Sequence, residues 1–206
     1  MSAKQLFGAT AACALLVTVA CGSAWADDKS IDDEGFIRTW LLLAPIPLPE
    51  GEPSEAIDKE QVKGEAKLAP ADGEKVKVGD KELTWKKVTA DDYFFDVNKV
   101  LGDETEKSMA YAVTYVVAPD DIADAVLKVG SDDGCKVYVN GKEVGKATDD
   151  RPFEKDQDAF KGVALKKGVN VVVFKVVNNG GEWQGSARFV DKDDKPIAGL
   201  KAQLTK

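Results

Sequence analysis

The chain contains no histidine. That removes Ser-His-Asp and Cys-His nucleophile systems and every His-ligated metal site. Carboxylates remain, 36 of them. A glycosidase needs two that flank the scissile bond, about 5–5.5 Å or about 6.5–9.5 Å apart. Seven adjacent Asp-Asp pairs occur, including Asp120-Asp121, Asp132-Asp133 and Asp149-Asp150. Neighbours in a strand point to opposite faces, so these pairs are poor catalytic dyads. Most fall where turns are expected, and turn chemistry accounts for them. Asp132 and Asp133 also offer two carboxylates to calcium, a hard cation that takes oxygen ligands. No D-x-D-x-D-G run accompanies them, and the competing reading is a plain turn.

Aromatic residues on loops are the other chemistry on offer, because a ring face stacks on the apolar face of a pyranose. Trp40 and Trp85 sit in apolar alternation and belong to a core. Trp183 follows the Gly-rich turn Asn178–Gly181 and is the candidate sugar platform. Glu182 and Gln184 flank it with groups suited to hydroxyls, and Arg151 lies in a polar loop with Asp150, Pro152 and Phe153 that can line a cleft. The competing reading packs Trp183 on the side of Phe189, inside the fold.

Strands must position these residues. In Ser131–Gly141, a turn at Asp132-Asp133-Gly134 leads into alternation. Cys135, Val137 and Val139 face one way, Lys136 and Tyr138 the other. Asn140-Gly141 tolerates the positive φ of a type I′ turn. This predicts a hairpin near the middle of an antiparallel sheet, with Cys135 buried as a small hydrophobe. Ser108–Ala118 is apolar on both faces and predicts a central strand. Ala125–Val129, Val169–Val177 and Trp183–Val190 predict further strands, and Ile197–Leu204 an edge strand. Phe36–Leu43 is a strand, which Pro45, Pro47 and Pro49 are expected to end. Many short strands with no long amphipathic helix predict an all-β antiparallel sandwich.

At the N-terminus, Lys4, the apolar Leu6–Ala20 and Ala24-Trp25-Ala26 read as a secretory signal over residues 1–26. The competing reading is a lipoprotein anchored at Cys21. Residues 27–35 form an acidic leader, expected to fray. Residues 36–206 form a single sandwich domain with a long surface excursion at about 44–80. The chain is thus expected to be exported, to the periplasm or beyond, with no membrane span. Of three cysteines, Cys135 alone lies beyond the region of Cys13 and Cys21, so no intrachain disulfide is expected in the mature chain. A net charge of −8 opposes nucleic acid and anionic membranes.

The ordered pieces W-L-L-L-A-P-I-P (Trp40–Pro47), Y-A-V-T-Y-V-V-A-P (Tyr111–Pro119), L-K-V-G-S-D-D-G-C-K-V-Y-V-N-G-K-E-V (Leu127–Val144), L-K-K-G-V-N-V-V-V-F-K-V-V-N (Leu165–Asn178) and W-Q-G-S-A-R-F (Trp183–Phe189) form a set. Together this set resembles the galactose-binding-like jelly-roll domains appended to bacterial glycoside hydrolases such as beta-galactosidases and family 2 enzymes. The resemblance spans about residues 36–204. It implies a jelly roll and a non-catalytic module that binds glycan or cell-surface polysaccharide weakly as a monomer; no cofactor is expected, a structural calcium at Asp132-Asp133 being the alternative to a plain turn. The alternative it leaves open is an envelope or extracellular interaction module with no sugar site.

Overall fold

The computed structural model describes Met1, residues 30–50 and residues 53–206. Lys4, Cys21 and Ala24–Ala26, on which the export reading rests, lie outside them. Strand β1 is Thr39–Pro47. A helical turn α1 (Pro53–Ala56) and a 3-10 turn (Glu65–Lys67) follow, then β2 (Lys75–Val78), β3 (Lys81–Thr84), β4 (Lys86–Thr89) and β5 (Phe95–Asp96). Helix α2 (Val97–Leu101) precedes β6 (Ser108–Ala118), β7 (Ile122–Ser131), β8 (Cys135–Val139), β9 (Lys142–Ala147), β10 (Asp158–Leu165), β11 (Gly168–Asn178), β12 (Gln184–Val190) and β13 (Lys201–Gln203).

The protein is an all-β antiparallel sandwich. One sheet has the order β4-β1-β6-β11-β8-β9, with β13 also on β6; the other has the order β10-β7-β12-β5. Among the described residues, no helix is long and apolar enough to cross a membrane. The inter-sheet core takes the alternate residues that the periodicity assigns inward. Ala110, Ala112 and Val116 of β6 and Cys135, Val137 and Val139 of β8 meet Ala125, Leu127 and Val129 of β7, with Ala187 and Phe189 of β12. Cys135 is a free, fully buried thiol whose pKa burial pushes up to about 11.

Strand β6 is central because both of its faces are buried. Met109, Tyr111, Val113 and Tyr115 belong to a second core on the outer face of the larger sheet. Residues 53–85 cover that face. Ala56, Ile57, Val62 and Trp85 are buried against it, so this stretch is a packed cover on the outer face. Glu65, 4% exposed, is the pin. Its carboxylate accepts from Tyr111 Oη (2.5 Å), Tyr138 Oη (2.7 Å) and Lys175 Nζ (3.1 Å). Lys175, fully buried, also donates to the carbonyls of Ile57 (3.1 Å) and Lys59 (2.7 Å). Its lysine pKa is lowered, burial being the chief cause.

Three sequence expectations are corrected. The Asn140-Gly141 turn has the expected positive φ values, 51° and 81°, but its hairpin lies at the sheet edge, with β9 outermost. Strands β6 and β11 are longer and doubly buried, and they take the centre. Strand β1 runs on through Pro45 to Pro47. Its register on β6 shifts between Leu43 and Ile46, and β4 pairs only residues 39–42. The prolines therefore fall in a bulge and on an unpaired edge, where a missing N–H costs no ladder bond. Residues 30–35 do not fray: Asp32 Oδ1 accepts from the N–H of Glu34 (3.0 Å) and of Phe36 (2.9 Å), and Ile31 bridges Ile37.

Candidate functional site

Strand β7 ends at Ser131 and β8 begins at Cys135, so Asp132-Asp133-Gly134 makes the turn at one end of the sandwich. Both aspartates are buried, 7% and 5% exposed, and the peptide between them is cis. Asp133 ties three loops together. Its Oδ1 accepts from the N–H of Arg151 (3.1 Å) in the β9–β10 loop, and its Oδ2 from the N–H of Asn179 (2.7 Å) in the β11–β12 turn. Its own N–H donates to the Val177 carbonyl (2.8 Å), and the Asp132 N–H to the Gln184 carbonyl (3.0 Å). Ser131 Oγ closes the turn on the Asp133 carbonyl at 2.6 Å.

Around this knot lies a cleft of about 280 Å³, walled by Ile57 and Val177 and rimmed by Lys107, Asp149, Asp150 and Asn179. Asn179 Nδ2 donates to Asp150 Oδ2 (2.7 Å), and Lys107 Nζ bonds Asn179 Oδ1. Burial raises the Asp133 pKa, and a hydrogen bond to Asp150 raises it further; its two backbone N–H donors oppose this. That same bond is the main cause that holds Asp150 below the ordinary carboxylate range. Asp132 is pushed up to about 6, first by burial and then by the charges of Asp133 and Glu182; a hydrogen bond from the Phe153 N–H opposes the rise.

The residues singled out from sequence converge on this end, but with different roles. Asp132, Asp133, Arg151, Glu182 and Gln184 are neighbours through the contacts above. Trp183 is corrected: it is fully buried and its ring lies in the inter-sheet core, so it offers no face to a sugar. The position just before β12 continues the inward alternation of Ala187 and Phe189, and the largest apolar side chain of the turn gains most from burial. Arg151 is committed to structure. Its guanidinium forks onto Asp158 (3.2 and 2.5 Å) and reaches Ser131 Oγ (2.9 Å). Glu182 is exposed and Gln184 half-buried. Sequence reasoning missed Lys107 and Asn179. Asn179 carries a weak signal, an Asn beside two glycines in a turn; Lys107 carries none, since its partner lies across the fold.

Calcium takes about six to eight oxygens, and among the described residues no three acidic, cysteine or histidine side chains gather as a metal cage. Both carboxylate oxygens of Asp133 already accept backbone N–H groups.

No family model matches the chain, and no curated protein matches it by sequence. Among solved structures, the chain is similar to a family 35 carbohydrate-binding module from an environmental isolate. The identity is 15%, over 50% of this chain and 78% of that one, with a TM-score of 0.35. It is also similar to the PA14 domain of the antifreeze protein MpAFP, at 11% identity over 88% of this chain and 98% of that one, with a TM-score of 0.40. These are distant likenesses among β-sandwich folds and carry nothing about a ligand of this chain.

Proposed function

We propose that this protein is an exported, non-catalytic module that binds carbohydrate weakly at the Asp133 end of the sandwich. One observation carries the reading. A buried aspartate knits three loops into a preformed rim, and that rim presents carboxylate, amide and ammonium groups around a cleft with an apolar wall. Such an arrangement of convergent polar groups on an apolar hollow is suited to a small polyhydroxylated ligand. Acceptors at Asp149 and Asp150 and the donor Lys107 match the mixed donor and acceptor character of sugar hydroxyls. Loops tied to a rigid scaffold are where binding residues commonly sit.

Geometry speaks against hydrolysis at this cleft. Asp133 is buried and its two carboxylate oxygens accept the Arg151 and Asn179 N–H groups, so it is committed to holding the loops and is not free to flank a glycosidic bond with Asp150. With few hydrogen bonds and, among the described residues, no exposed tryptophan, a single sugar unit would bind at millimolar to tens of micromolar Kd, about 4–6 kcal/mol.

A glycan array probed with and without calcium tests the reading. Binding to a defined set of glycans, lost in Asp150→Ala, supports it. No binding to any glycan, with the fold intact, rejects it in favour of an interaction module without a sugar site. If calcium leaves both the binding and the melting temperature unchanged, the calcium expectation is retired.

A further inference from the structure

A second hollow, about 450 Å³, opens between the end of β4, residues 90–96 and α2. Helix α2 is held to the β11–β12 turn by Asn98 Nδ2, which donates to the Gly181 carbonyl at 2.8 Å. The hollow's wall is apolar: Val88, Phe94, Phe95 and Val100. Its rim is polar: Asp92, Asp96 and Asp91 with Lys99. These acids are only partly occupied. Lys99 Nζ binds Asp91 Oδ2 (2.7 Å), Asp96 Oδ1 accepts from the Lys99 N–H (3.0 Å) as the helix cap, and Asp92 Oδ1 accepts from the Tyr93 N–H (2.7 Å). The second oxygens of Asp92 and Asp96 are the acceptors left over for hydroxyls.

Phe94 connects this hollow to the Asp133 end. It is half-buried, and its ring centroid lies 5.2 Å from that of Phe153 and 5.3 Å from that of Tyr93. Phe153 lies two residues beyond Arg151, whose N–H donates to Asp133 Oδ1 at 3.1 Å. Gly130 makes room for the Phe153 loop: a Cβ there would lie 2.1 Å from the Glu154 carbonyl and 3.0 Å from the Phe153 ring. The result is a run from the Asp133 carboxylate through the 151–153 loop and Phe94 to an apolar hollow with hydroxyl acceptors.

Resting on the carbohydrate reading above, we propose that the Phe94 hollow is a second sugar subsite. It takes a hexopyranose unit with its apolar face on Phe94 and its hydroxyls on Asp92 and Asp96. The ligand is then a polysaccharide chain that crosses the end of the sandwich, with one unit in the Asp133 cleft and another in the hollow. Stacking on one ring is a modest, directional contribution, so its signature is a preference for chain length rather than for one monosaccharide.

The test is calorimetric titration with galactose, β-1,4-galactohexaose, glucose and cellohexaose, on wild type, Phe94→Ala and Asp150→Ala. Wild type should bind the hexasaccharide of its sugar about tenfold tighter than the monosaccharide. Phe94→Ala should shrink that ratio to about twofold, while Asp150→Ala weakens both alike. If Phe94→Ala melts early, Asp92→Ala, at an exposed rim position, should shrink the ratio in the same sense. A ratio unchanged in Phe94→Ala or Asp92→Ala overturns the subsite and leaves the carbohydrate reading standing. Failure of every sugar to bind wild type overturns the carbohydrate reading itself.

Discussion

At the residue scale, the aspartates of the β7–β8 turn give the protein a distinctive acid response. Asp132 titrates at about 6 in the fold against an ordinary 3.8. Between those values the folded state holds a proton that the unfolded state has lost. Its contribution to stability is therefore present below about pH 3.8 and lost as pH rises through about 6. Asp133, also raised, acts in the same sense. Asp58 acts oppositely: its bonds to Lys136 and Lys146 lower it to about 2, so its contribution is lost only as pH falls through 2. Thermal melts from pH 4 to 6.5 should show a decline that Asp132→Asn flattens; an identical slope in the variant would contradict the assignment. Trp183→Ala should cost about 3–5 kcal/mol, as for truncation of any large core aromatic, measured by denaturant titration. A loss under 1 kcal/mol would mean the ring is not where the fold places it. The Asp132-Asp133 turn was legible from its position between two alternating runs. That Trp183 faces inward was not decided by its neighbours, because a Gly-rich turn permits either direction and only the three-dimensional strand start resolves it.

At the scale of elements, periodicity made most strands readable. Ser108–Ala118 is apolar on both faces and becomes β6; the Cys135-Val137-Val139 alternation becomes β8 with the register intact. Two features escaped. Prolines at the end of β1 look like a stop until the partner strands are known, because only a bulge and a free edge make them harmless. The charged composition of residues 50–80 looks solvent-facing, yet Glu65 is a buried anchor whose partners Tyr111, Tyr138 and Lys175 are 46, 73 and 110 residues away in sequence. No local pattern announces such a partner set. Glu65→Ala leaves Lys175 buried without its counter-charge and should cost about 3–5 kcal/mol. Hydrogen exchange should localise the loosening to residues 53–68. Uniform exchange across the sandwich would show that this segment is not a separately latched cover.

At the scale of the molecule, the two sheets supply rigidity and one end supplies the loops. Four segments meet there: the β7–β8 turn, the β9–β10 loop, the β11–β12 turn and α2. Their mutual hydrogen bonds preform the rim before any ligand arrives, which lowers the entropic cost of binding. If the Asp133 end binds carbohydrate, a glycan titration of Asp150→Ala beside wild type must show it. Asp150 is an exposed rim residue, so the variant should keep the wild-type melting temperature within a few degrees while its sugar affinity falls by about tenfold or more. Unchanged affinity in a folded variant would contradict the claim and move the site elsewhere on the sandwich.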